Sequence, residues 1–157
     1  MGKTKIIIFF LCITMITVSF VGCSSKMPIT SDEFSQTMIA ANFTVENVTA
    51  RTQTNGLATS VIVAVKDDGS YQIEFWELTD GEVGKNVYNN NKKQLSKEHS
   101  SKAVLSEFNL GNYNYYAFTA DGNFHMVTRI DNTMLYCEAD KEYKEEIIDF
   151  AKQLGYK

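Results

Sequence analysis

The sequence predicts an α+β domain: a mainly antiparallel sheet with helices packed on one face, in the order α-βββ-α-ββββ-α. Three observations predict it. Runs rich in β-branched and aromatic residues recur between residues 43 and 138. Short pairs of Asp, Asn and Gly separate most of them, as hairpins require. Helical apolar periods open and close the stretch, at 31–42 and after Asp140.

Thr30-Ser31-Asp32-Glu33 reads as a capping box, with Glu33 three residues after Thr30. Phe34, Met38 and Ala41 then mark one face of a first helix over 31–42. Strands are expected at 43–49, 58–66 and 71–78. The second and third meet at Asp67-Asp68-Gly69-Ser70, a hairpin signal. Thr79-Asp80-Gly81-Glu82 reads as a second capping box, opening a helix with Val83, Val87 and Tyr88 on its apolar stripe. Gly81, Gly84 and several Asn weaken that helix, since Gly costs about 1 kcal/mol against Ala. Residues 92–102 read as a solvated helix end and loop. Strands at 104–110, 113–120, 124–130 and 133–138 follow, and the last three form a meander on two-residue turns. Asp140 is expected to cap a third helix, whose face is Tyr143, Ile147, Phe150, Ala151 and Leu154, closed by Gly155. Asp68-Gly69-Ser70-Tyr71 echoes Asp121-Gly122-Asn123-Phe124, a hint of internal similarity.

Composition bounds the function. The chain has 157 residues, 15 Lys+Arg, 19 Asp+Glu and a net charge of −4. That acidity speaks against nucleic acid, whose phosphates call for an excess of Lys and Arg.

At the N-terminus, Lys3 and Lys5 precede an uncharged run from Ile6 to Val21, then Gly22 and Cys23. This is the order of a secretory signal. As a helix, 16 residues span about 24 Å, short of the hydrocarbon core of about 30 Å. Phe20-Val21-Gly22-Cys23 resembles the lipobox of bacterial lipoproteins, with Phe20 where that family usually has an aliphatic residue. The resemblance implies a signal peptide over 1–22, cleavage before Cys23, and diacylglyceryl on its thiol. Residues 23–28 then form the lipidated cysteine and a short tether, and 29–157 a single extracytoplasmic domain. Two or more acyl chains anchor a protein stably, at about 0.8 kcal/mol per buried CH₂. The processed chain would keep 13 basic and 19 acidic residues, a net charge of −6. Cys12 leaves with the signal, so Cys137 is the one remaining free thiol.

No catalytic motif stands out. His99, His125 and Cys137 lack zinc-ligand spacing, so no metal and no cofactor is expected. There is no Gly-x-Ser-x-Gly elbow, no phosphate-cradling Gly loop, and no evident carboxylate pair. Cys137 with His125 is the one Cys-His option, since their strands are expected to pair. Three Tyr fall within 113–116 and suit either a core or a binding surface. Trp76, Tyr116 and Phe118 are the ligand-binding candidates, on the sheet face expected to lack a helix.

Arg129-Ile130-Asp131-Asn132-Thr133-Met134-Leu135-Tyr136 and Ala139-Asp140-Lys141-Glu142-Tyr143-Lys144-Glu145-Glu146-Ile147 resemble the C-terminal end of small uncharacterised lipoproteins of low-GC Gram-positive bacteria. The resemblance spans about a third of the processed chain and implies no activity. The expectation is therefore a membrane-anchored extracytoplasmic lipoprotein. It is a non-catalytic binding or interaction module, whose partner is an envelope protein or small ligand. The alternatives are a small envelope enzyme using Cys137 or His125, and an accessory subunit of a membrane complex.

Overall fold

A computed structural model describes residues 25–98 and 104–157. The elements follow the expected order: α1 (Ser31–Ala40), β1 (Phe43–Asn47), β2 (Ala58–Lys66), β3 (Gln72–Leu78), α2 (Gly81–Glu98), β4 (Val104–Leu110), β5 (Tyr113–Ala120), β6 (Asn123–Ile130), β7 (Thr133–Asp140), a 3-10 turn (Lys141–Tyr143) and α3 (Lys144–Gln153). The seven strands form one antiparallel sheet in the order β1-β2-β3-β7-β6-β5-β4. The fold class is α+β.

Local chemistry explains the boundaries. Thr30 caps α1: its hydroxyl accepts from Glu33 N–H, and Glu33 accepts in return from Thr30 N–H at 2.8 Å. The cap of α2 is Asp80 rather than Thr79. One Asp80 oxygen accepts from Glu82 N–H at 2.9 Å and Val83 N–H at 2.8 Å. A carboxylate does this better than a hydroxyl, because it also meets the positive end of the helix dipole. Asp140 makes no side-chain cap. The chain passes through the 3-10 turn before α3 begins. Between β5 and β6, Asp121 and Gly122 both take positive φ, the twist that a two-residue hairpin needs. At its far end α3 closes with Tyr156 N–H returning to Ala151 O at 2.7 Å.

The pleat sorts the side chains into two cores. Phe75, Met126, Leu135, Tyr115 and Ala117 face α1 and α3. Phe34 of α1 stacks on Phe75 with centroids 5.0 Å apart. Fully burying one such side chain is worth about 1.5–3 kcal/mol. Tyr88 and Leu95 of α2 bury against Tyr116, Phe118, Val127 and Met134, which alternate with the first set along the strands. So α1 and α3 share one face, as their stripes require, while α2 covers part of the other. The second face is not helix-free, and a second helical layer exists over β6, β7 and the end of β3. Two features put it there. Leu95 extends the α2 stripe by about two turns beyond Tyr88, and Gly84 lets the helix sit against the β6–β7 turn. A Cβ at Gly84 would lie 2.5 Å from Asp131 O. That same helix continues to Glu98, into the stretch read as a solvated helix end and loop. His99 lies outside the described residues.

The echo between residues 68–71 and 121–124 does not mark a duplication. The first turn joins β2 to β3 and the second joins β5 to β6. Counted from the central β3–β7 pair, those turns are not equivalent, and α2 and α3 leave toward opposite faces.

Candidate functional site

Among the described residues, the one Cys-His option, Cys137 with His125, is not assembled. Register brings the strands together, with His125 opposite Glu138 and Met126 opposite Cys137. The pleat then sends the two side chains to opposite faces. Cys137 is 1% exposed in the α1/α3 core, and its thiol donates to Gln72 O at 3.1 Å. Burial, with Glu74 and Glu138 nearby, pushes the thiol up to about 12, so it holds its proton. His125 stacks on Phe118 at 4.5 Å and lies 3.7 Å from Glu138.

The three ligand-binding candidates do share one sheet face. Tyr116 and Phe118 are 2% and 1% exposed there, because they form the bed on which α2 rests. Both are closed to a ligand in this conformation. Trp76 is half-buried beside α2, at the edge of a cleft of about 150 Å³ with Glu74, Val87 and Tyr136. Its indole N–H donates to Glu74 at 3.0 Å. Beyond it, the uncovered part of this face forms a shallow trough of about 460 Å³ over Val63, Val65 and Thr44. Arg51 and Glu46 pair with each other at its rim.

A different cleft has the features of a binding site. It lies on the opposite face, between α3 and the β4–β5 edge, with a volume of about 210 Å³. Tyr115, Ala117 and Phe124 line it from the sheet, and Ile148 from the helix. Tyr115 and Thr119 lie four residues apart on that strand face, about 13 Å at 3.3 Å per residue. Lys144, Lys152 and Lys157 line it together, with Glu145 as the acidic member. Lys152 donates to Asp149 at 2.8 Å, and Lys144 lies 3.8 Å from Glu145. Lys157 makes no ion pair among the described residues and sits 5.2 Å above the Tyr115 ring. Partial burial and the charges of Lys152 and Lys144 lower its pKa. Two hydroxyls of the lining, Tyr115 Oη and Thr119 Oγ1, are buried without a hydrogen-bond partner. Such a group is costly, about 1–3 kcal/mol, unless something supplies the missing bond.

This cleft is not apparent in the sequence. Lys144, Lys152 and Lys157 lie eight and five residues apart, which is a surface pattern on a helix. Only the docking of α3 beside β5 brings them to one opening. The available signal was the Tyr cluster at 113–116, and it pointed to two faces at once.

The outer rim of the cleft is β4, an edge strand. Leu105 is 50% exposed, Phe108 48% and Leu110 64%. Register puts Phe108 and Leu110 on the α3 face with Tyr115 and Tyr113, and Leu105 on the other face with Phe118, so exposed apolar side chains flank both sides of this edge, away from Trp76. At the near end, Lys26 anchors the N-terminal segment to the domain. Its Nζ donates to Gly155 O at 2.6 Å and lies 4.0 Å from the Tyr113 ring centre, while Asn112 donates to Lys26 O. The chain is thus fixed to the fold three residues after Cys23, and Cys23 itself lies outside the described residues.

Comparison with protein-family models, with curated proteins and with solved structures found no match to this chain. No helix of the described residues is long and apolar enough to cross a membrane.

Proposed function

We propose that the chain is an extracytoplasmic lipoprotein, anchored through a lipidated Cys23, whose domain binds a ligand without transforming it. The observation that carries the reading is the cleft beside α3. It pairs an apolar floor with charged groups and unpartnered hydroxyls, the makeup of a binding pocket. The other chemistry supports binding over turnover. The Cys137 thiol is buried and protonated, and His125 stands on the opposite sheet face from it. The N-terminal motif supports the anchor, and the docking of Lys26 supports a domain held close to the membrane.

The exposed Phe108 and Leu110, on one face of the edge strand, favour a second reading, an accessory subunit that docks on a membrane complex. Native mass spectrometry of the protein extracted from membranes separates the two. A small non-covalent adduct, released unaltered on unfolding, supports the binding module. A stoichiometric protein partner and no small adduct supports the accessory subunit. Release of a chemically converted adduct contradicts both.

A further inference from the structure

The binding-module reading leaves the ligand open, and the cleft itself narrows it. We propose that the cleft between α3 and β5 binds a small anionic amphiphile, a medium-chain monocarboxylate. The inference rests on that reading for its setting.

Size limits the ligand first. A cleft of about 210 Å³ gives room for a small molecule and not for a peptide segment. Lining chemistry comes next. Ala117, Phe124 and Ile148 offer an apolar body nothing to hydrogen-bond, so a bare inorganic anion would gain charge contacts and lose its hydration against them. A purely apolar ligand would leave Lys157 and two buried hydroxyls unanswered. Charge then sets the sign. Lys144, Lys152 and Lys157 meet at one opening of an otherwise acidic chain, and Lys157 has no carboxylate partner among the described residues. Burial and then the charges of Lys152 and Lys144 lower the Lys157 pKa, and an anion among the three relieves the repulsion between them. Position agrees as well. Lys157 and Tyr115 lie near Tyr113 and Gly155, where Lys26 ties down the chain leading to Cys23. On an anchored protein this end faces the membrane, where amphiphiles concentrate.

The test is titration by isothermal calorimetry of a soluble chain beginning at Ser24. Every described element and core residue lies beyond that point. The probes are octanoate, octan-1-ol and inorganic phosphate. Octanoate is expected to bind saturably, with octan-1-ol weaker by about fivefold or more and phosphate not binding. Ser106→Trp, a half-exposed lining position on the edge strand, is expected to abolish octanoate binding by filling the cleft. Lys144→Gln with Lys152→Gln, which leaves the core untouched, is expected to weaken it about fivefold and flatten its dependence on salt. Equal binding of octan-1-ol, binding that survives Ser106→Trp in a folded variant, or no saturable octanoate binding each overturns the inference. None of these outcomes decides the binding-module reading, which stands or falls on the adduct found with membrane-extracted protein.

Discussion

Tyr113 and Tyr115 supply a controlled experiment within one strand. Both are buried on the same face of β5, two residues apart. Tyr113 Oη donates to Tyr156 O at 2.9 Å, whereas Tyr115 Oη has no partner. Replacing each by Phe removes one hydroxyl and almost no volume. In Tyr113→Phe a net hydrogen bond is lost. Tyr156 O is not orphaned, since Thr128 also donates to it at 3.0 Å. The loss is therefore about 1 kcal/mol. In Tyr115→Phe an unsatisfied polar group is removed, and the desolvation penalty of that hydroxyl goes with it. This variant should be more stable than wild type, by about 1 kcal/mol. At about 2–4 °C per kcal/mol for a chain of this size, the two Tm values should differ by about 6 °C, with wild type between them. Thermal denaturation followed by circular dichroism reads this directly. If Tyr115→Phe destabilises as much as Tyr113→Phe, the Tyr115 hydroxyl is already partnered, and the strongest mark of a binding cleft is lost.

Four further outcomes follow from the fold. Gly84→Ala should destabilise by about 1–3 kcal/mol despite Ala being the better helix former, because its Cβ meets the Asp131 and Asn132 backbone. Gly81→Ala should cost less, since there the close atom is the end of the Asp131 side chain; urea midpoints compare the two. Arg129, 3% exposed, donates to Asn114 Oδ1 at 2.9 Å and Asp131 O at 2.7 Å. Arg129→Lys should therefore lose about 2 kcal/mol in the same assay, because an ammonium cannot span that fork. Cys137 should resist iodoacetamide at pH 8 in the native protein and react fully in denaturant, as read by mass, since its thiol is buried and held up to about 12. Glu33 is held below the usual carboxylate range by Thr30, and Glu107 by Lys92 and Asn109. Their stabilisation is full above the unfolded carboxylate pKa and lost as pH falls through the lower folded values. The urea midpoint should therefore fall below about pH 4.

What could be read from the residues followed local physics. Hairpin turns at Asp67–Ser70 and Asp121–Gly122, and the Thr30–Glu33 capping box, specify their elements within four residues, and all appear where expected. The face that a helix covers is a tertiary choice. The α2 stripe is weak, and its Gly residues read as defects until the β6–β7 turn is seen against them. That choice buried Tyr116 and Phe118, which alternation alone had placed on an open face. Likewise the pairing of His125 and Cys137 strands was legible, while the pleat that separates their side chains depended on a one-residue register. The lysine cleft depended on long-range docking of α3 and had no local signature.

The anchor underlies the proposed setting of everything else, and the intact mass of the protein from the membrane fraction, wild type beside Cys23→Ala, tests it most directly. The account predicts a wild-type chain beginning at Cys23 and carrying a diacylglyceryl group, absent from the variant. An unprocessed chain of the same form in both would contradict it, and would make residues 6–21 a retained signal anchor.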